Sequence, residues 1–246
     1  MSSQKIALVT GANKGIGLET VKQLAEKGVK VYLGSRDEAR GQKAAESLRA
    51  LGLDVTFVPL DMTNPAHFSA LKSMLESSHG RLDILVNNAG IQIEDHTWSK
   101  NTTSTISQEI LRETFETNFF GLVHLTHTLL PLIRKSDAGR IVNLTSILGS
   151  LTLHATPGSP IYETKTFAYN TSKAALNMYT IHLAHELQGT NIRVNAAHPG
   201  WVKTDMGTDA APMNVTEGSK TSVDLALAGK DSPNGKYLHL ESELPW

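Results

Sequence analysis

The 246-residue chain contains no cysteine. It therefore has no disulfide framework, no thiolate nucleophile and no cysteine-based metal site, and this composition fits a reducing cytosol, which makes the expected location cytoplasmic. It has no excess of either charge. Its 23 Lys and Arg stand against 24 Asp and Glu, for a formal net charge of −1, and no Lys/Arg-rich run stands out. Nothing here would draw nucleic-acid phosphates or an anionic membrane. Long apolar runs are also missing. The first ends after a few residues in a glycine turn, so neither a signal peptide nor a membrane span is expected. The segment Leu144-Thr145-Ser146-Ile147-Leu148 lacks the Gly-x-Ser-x-Gly elbow of a serine hydrolase. The pairs His124/His127 and His182/His185 share helical faces but lack a His-Glu-x-x-His motif, so no metal is expected. The Asn-x-Thr/Ser matches at Asn101, Asn143, Asn170 and Asn214 read as chance.

With 40% apolar residues and no linker, repeat or low-complexity run, residues 1–246 are expected to form one domain with a sizeable core. Short apolar runs near 5–9, 29–34, 54–58, 83–86, 139–145, 191–197 and 236–240 alternate with helical patterns over 15–27, 38–51, 65–78, 107–135, 168–188 and 216–228. Strands spaced by crossover helices predict an α/β fold: a doubly wound, Rossmann-type parallel sheet of about seven strands with helices on both faces. Ligands of such sheets sit at the carboxyl ends of the strands, where strand order reverses. At the first of these ends, Lys5-Ile6-Ala7-Leu8-Val9 runs into Thr10-Gly11-Ala12-Asn13-Lys14-Gly15-Ile16-Gly17. A buried strand, a glycine turn and a helix N-terminus make a phosphate cradle, and hence a site for a nucleotide cofactor. The spacing T-G-x-x-x-G-x-G is neither G-x-G-x-x-G nor a P-loop.

The residues past the other strands carry a further pattern. Asn87-Asn88-Ala89-Gly90 follows the fourth strand, Asn118 lies in the long helix, and Ser146 follows the fifth strand. Tyr169-Asn170-Thr171-Ser172-Lys173 opens the next helix, and Pro199-Gly200-Trp201-Val202-Lys203-Thr204 follows the sixth strand. Together with the glycine turn, these motifs resemble the short-chain dehydrogenase/reductase family over essentially the whole chain, with wording most like its NADPH-dependent carbonyl reductase branch. The resemblance implies reduction of a carbonyl group by hydride transfer with Tyr169, Lys173, Ser146 and Asn118 as the catalytic set. Ser146 would orient the substrate oxygen, and Asn118 would hold a water linking the lysine to solvent. It also implies cofactor contacts from Gly11, Asn13, Lys14, Gly15, Ile16 and Gly17, from Asn88, Ala89 and Gly90, from Tyr169 and Lys173, and from Pro199, Gly200, Val202 and Thr204. Asp61 and Met62 would contact the adenine.

The residue types support this chemistry. Tyr169 and Lys173 are four apart and share a helical face, so an ammonium near the phenol would favour its ionised form and make it a usable acid. Ser146 and Tyr169 are 23 residues apart, further than is usual in the family. Tyr162 lies in between but has Thr166, not lysine, four residues on. The inserted segment 151–167 and the loop after the sixth strand are expected to wall the substrate site with Leu148, Tyr162, Trp201 and Met206, favouring bulky or aromatic ketones, aldehydes or quinones. Ser35-Arg36 stands where NAD enzymes carry a carboxylate, and Arg36 with Lys14 suits a 2′-phosphate, so the cofactor is expected to be NADPH/NADP+. Asp37 could neutralise Arg36 or instead begin the next helix.

Two other readings have their own signatures. A catalytically silent NADP-binding regulator would lack the Tyr or the Lys, and both are present. An extended-branch epimerase or dehydratase would need a longer chain and a different glycine spacing. The expected partner is a small carbonyl compound, with the chain either monomeric or paired through the helices at 107–135 and 168–188.

Overall fold

The computed structural model describes residues 4–94 and 103–246. The match at Asn101 lies outside these residues. Eight strands form one sheet in the order β3-β2-β1-β4-β5-β6-β7-β8. They are β1 (Ile6–Val9), β2 (Lys30–Ser35), β3 (Val55–Pro59), β4 (Ile84–Asn87), β5 (Arg140–Leu144), β6 (Arg193–Ala197), β7 (Tyr237–His239) and β8 (Ser242–Glu243). The first seven are mutually parallel, and β8 pairs antiparallel with β7 as a short edge. Seven strands match the sequence expectation closely. The two-residue β8 carries no hydrophobic period to read.

The sheet is buried on both sides, and β1 shows how. Ile6 and Leu8 join one core with residues of α3 (Pro65–His79), α5 (Gly121–Ile133) and α7 (Phe167–Glu186). Ala7 and Val9 join a second core with residues of α1 (Gly15–Glu26), α2 (Glu38–Arg49) and α8 (Val215–Leu227). Alternation along one strand thus feeds two helical layers, which is why the strands read as continuous apolar runs.

Helix ends follow their capping residues. Asn64 accepts from Ala66 N at 3.1 Å ahead of Pro65, and Gly80, in the left-handed region at φ +69°, closes α3. Asn214 and Glu217 form a reciprocal capping box at α8, so this asparagine is engaged in the fold. Asn143 and Asn170 are buried.

Two elements depart from the sequence reading. The single helix expected over 107–135 is α4 (Gln108–Phe115), a five-residue π turn (Glu116–Phe120) and α5. A π turn leaves the apolar pattern nearly unbroken, so periodicity misses it. The segment after β5 is not a plain loop: a 3₁₀ turn (Ile147–Gly149) leads into the short helix α6 (Leu151–Ala155), capped by Ser150. Among the described residues no helix is long and apolar enough to cross a membrane.

Candidate active site

Strand order reverses between β1 and β4, so the chain leaves these neighbours in opposite directions and a cleft opens at their carboxyl ends. Thr10 ties its two walls together: its hydroxyl accepts from Asn88 N at 3.0 Å and Ala89 N at 2.9 Å. In return the Asn88 side chain donates to the carbonyls of Thr10 and Gly11, at 2.7 and 3.1 Å. Gly11 sits at φ +62°, and a Cβ there would lie 2.8 Å from Ala89 Cα. A Cβ on Gly17 would strike the Asn88 amide. These glycines are required by close approach of the backbone. Helix α1 begins without a side-chain cap, so its first N–H groups and positive end face the cleft, as an anion site requires.

The cleft has a volume of about 790 Å³. The glycine turn (Gly11, Asn13, Lys14, Gly15, Ile16, Gly17), Arg36, the pair Asp61 and Met62, and the loop Asn88, Ala89 and Gly90 all line it. So do Tyr169, Lys173, Pro199 and Thr204. Two expected contacts lie elsewhere. Gly200, at φ +87°, faces the Met213 sulfur, and Val202 is buried against Gly218 of α8 while bridging Met213. The β-bridge turns both away from the cleft.

The end of the cleft beside α2 brings Lys14, Arg36 and Arg40 together with Asp37 and Asp205. Asp37 caps α2 through Arg40 N and pairs with the Arg40 guanidinium at 3.1 Å, so its ion pair is with Arg40 rather than Arg36. Lys14 forms an ion pair with Asp205 across the cleft mouth, and that ammonium holds the Asp205 carboxyl below its usual range. Arg40 lines the same end and was not singled out by the sequence motifs.

At the other end the catalytic candidates converge. Ser146 caps the 3₁₀ turn, its Oγ accepting from Leu148 N at 3.2 Å. Burial pushes the Tyr169 phenol up to about 12, even with the Ser146 hydroxyl near enough to lower it. Lys173, one turn on, donates to the Leu144 carbonyl at 2.9 Å, with its Nζ 5.6 Å from the centre of the Tyr169 ring. Burial lowers this ammonium to about 8. The helical spacing alone suggests a depressed phenol; in the structure, desolvation of the two buried groups dominates both shifts. Asn118 sits in the π turn. Its Oδ1 accepts from Ile91 N at 2.8 Å, and its Nδ2 donates to Ile91 O at 2.9 Å and Ser172 Oγ at 3.0 Å. The extra residue of that turn aims it at Gly90, beside which Lys173 Nζ also lies.

The expected substrate wall is only partly assembled. Met206 lines the cleft, together with Ile91, Gln92, Ile93 and Thr117. Leu148, Tyr162 and Trp201 are not among its lining residues. The Leu148 carbonyl is bound to the His154 ring at 3.0 Å. The Tyr162 ring faces Lys165 Nζ at 4.9 Å, and the exposed Trp201 indole donates to Gly207 O at 2.8 Å. Local partners hold each of them.

One residue without any motif stands out. Glu94, 3% exposed, reaches from the loop after β4 to the start of α7, where its carboxylate oxygens accept from Ala168 N at 3.0 Å and Tyr169 N at 2.7 Å. The residue before α7, Thr166, makes no side-chain cap, so Glu94 caps the helix of Tyr169 and Lys173 from a distant part of the chain. A single acid with no local spacing gives no signal in sequence.

The family model described as short chain dehydrogenase matches residues 5–214. The chain is 35% identical to carbonyl reductase [NADPH] 1 of Mus musculus, covering 100% of this chain and 99% of that protein. It is 32% identical to (+)-neomenthol dehydrogenase of Capsicum annuum, covering 97% and 96%. The alignment with the mouse protein spans 288 positions against 246 residues here, so that relative carries segments this chain lacks. Among solved structures, NADPH-bound carbonyl reductase from chicken fatty liver superposes with a TM-score of 0.84 at 27% identity, covering 100% of both chains.

Proposed function

Because the chain belongs to the short chain dehydrogenase family, whose members are oxidoreductases using nicotinamide cofactors, we propose that it is an NADPH-dependent reductase of bulky carbonyl compounds with Tyr169 as general acid. The observation that carries this reading is the convergence of Tyr169 and the buried Lys173 on the same cleft that the glycine turn opens, with the Ser146 hydroxyl beside the Tyr169 phenol. A nicotinamide dinucleotide, when bound, supplies the hydride. The α1 N-terminus and glycine turn would hold its pyrophosphate, Arg36, Arg40 and Lys14 its 2′-phosphate, and the loop at Asn88, Ala89 and Gly90 the nicotinamide side.

The chain's own residues then handle the proton. Ser146 Oγ, with one lone pair held by Leu148 N–H, offers its hydroxyl to the substrate oxygen and fixes it beside the phenol. Tyr169 donates its proton to that oxygen as negative charge develops there. A phenol near 12 is a reluctant acid, so the ammonium of Lys173 is needed to stabilise the phenolate left behind. Asn118, tied to the backbone at Ile91, keeps the π turn open beside Lys173 and offers a place for the proton's return path from solvent.

Substrate size follows from Ile93 and Met206 at the cleft mouth, both partly exposed apolar side chains, with Trp201 on the adjoining loop. Apolar ketones, aldehydes or quinones gain from covering these surfaces, whereas small charged keto acids do not. The test is NADPH oxidation against a panel of aromatic and terpenoid ketones, quinones, aldehydes and short keto acids. Turnover of the apolar members is expected; turnover confined to keto acids, or none with any carbonyl compound, would overturn the reading.

A further inference from the structure

The peptide unit that follows Ser146 is gripped at both poles by side chains from another part of the chain. Its carbonyl, that of Ser146, accepts from the Tyr237 hydroxyl at 2.5 Å, in addition to Gly149 N at 2.8 Å within the 3₁₀ turn. Its N–H, that of Ile147, donates to His198 Nδ1 at 3.2 Å. His198 follows β6 and Tyr237 lies in β7, so the two neighbouring strands meet the serine turn from one side. We propose that Tyr237 and His198 are positioning residues that fix the orientation of the Ser146–Ile147 peptide, and thereby aim the Ser146 hydroxyl at the substrate oxygen.

Three features make this more than packing. Rotation of that peptide would unwind the 3₁₀ turn and release the Leu148 N–H that holds Ser146 Oγ, and the turn alone, with the single Gly149 N–H on the carbonyl, leaves the rotation open. Next, His198 must present Nδ1 as an acceptor, which requires the neutral ring with its proton on Nε2. Burial and the charge of the neighbouring His239 hold the ring neutral, down to about 3, so the acceptor persists at every working pH. The His239 ring is 5.0 Å away, and its Nδ1 lies 3.0 Å from the His198 carbonyl, which fixes the segment after β6. Finally, Tyr237 is fully buried and carries its own brace: the Trp246 ring stacks on it at 5.2 Å and 26°, and the Trp246 carbonyl accepts from Thr152 N of α6 at 3.0 Å. The brace links the far edge of the sheet to the helix that follows the serine turn.

The proposal rests on Ser146 acting in catalysis, and a double-mutant cycle separates the two claims. Tyr237→Phe removes only the hydroxyl and keeps the ring that stacks on Trp246. In the wild-type background it is expected to lower kcat about tenfold, the order given by one lost hydrogen bond, with KM for NADPH unchanged. In a Ser146→Ala background, itself strongly impaired, it should lower kcat no further. Exchange of the Ile147 amide, followed by hydrogen exchange in the protein without added cofactor, should be faster in Tyr237→Phe and faster still in His198→Phe. If Tyr237→Phe leaves kcat and Ile147 exchange as in wild type while Ser146→Ala abolishes turnover, the positioning role is overturned and the catalytic reading stands. Equal losses from Tyr237→Phe in both backgrounds, or a fall in kcat that tracks a fall in melting temperature across the variants, would also overturn it. Full activity in Ser146→Ala would overturn the catalytic reading itself, and the positioning role with it.

Discussion

Lys173 should cost the fold stability that its chemistry requires, and Lys173→Met tests this. The side chain is buried with its ammonium lowered from 10.5 to about 8 by desolvation. At 1.36 kcal/mol per pKa unit, keeping that charge inside the protein at pH 7 costs about 3 kcal/mol. Methionine matches the length of the stem without the charge, so this cost disappears. The substitution also removes the donor to the Leu144 carbonyl, and an orphaned buried acceptor costs about 1–2 kcal/mol. The net expectation is a variant more stable than wild type by about 1.5 kcal/mol at pH 7, which for a chain of this length raises Tm by about 3–6 °C. The advantage must depend on pH. Because the folded-state value is the lower one, the unfolded chain binds more protons between about 8 and 10.5, and wild-type stability rises with pH across that window relative to the variant. The advantage is therefore full below pH 8 and gone at about pH 9, and by about 10.5, where only the lost contact to the Leu144 carbonyl remains, the variant is the less stable by about 1–2 kcal/mol. Urea unfolding of both proteins at pH 7 and pH 10 reads this directly, and turnover should be lost in the variant throughout. A variant less stable at pH 7, or a stability difference that is the same at both pH values, would refute the reasoning.

Three further outcomes follow from the geometry. Arg36→Ala should lower kcat/KM with NADPH about tenfold, at the low end for one exposed charge-assisted contact, and leave NADH kinetics unchanged; equal effects on both cofactors would remove Arg36 from the phosphate site. Glu94→Gln leaves one of the Ala168 and Tyr169 N–H groups without a carboxylate oxygen and removes the charge at the α7 N-terminus, which should destabilise the fold by about 2 kcal/mol in urea unfolding at pH 7; a change under about 0.5 kcal/mol would deny the capping role. Gly17→Ala should abolish NADPH binding measured by fluorescence, since its Cβ collides with the Asn88 amide that ties the two walls of the cleft.

Much of the molecule was legible because its signals are local. Buried strands such as Ile6–Val9 are continuous apolar runs, and Asn64-Pro65 and Asp37 mark the starts of α3 and α2 through capping chemistry that depends on adjacent residues only. The glycine turn and the Tyr169/Lys173 pair are legible for the same reason, since spacing on one element fixes their relation. What escaped reading is set by contacts between distant segments. Glu94 stands 74 residues before Ala168, with α4, the π turn, α5, β5 and α6 between them, and His198 and Tyr237 meet Ser146 only through the pairing of β5, β6 and β7. The substrate wall was legible in chemistry but not in its local contacts, since the Tyr162 ring faces Lys165 Nζ and the Trp201 indole donates to Gly207 O. The π turn at Asn118 is missed by a helical pattern because apolar residues run on through Phe115, Phe119 and Leu122 across it.

The central claim is that the Tyr169 phenol protonates the carbonyl oxygen, and the kcat of Tyr169→Phe, measured beside Tyr162→Phe with an apolar ketone and saturating NADPH, tests it most directly. Removing a general acid should lower kcat by about 10²–10⁴-fold while the dissociation constant for NADPH stays near the wild-type value, and Tyr162→Phe should remain active. Near-normal turnover in Tyr169→Phe would contradict the account.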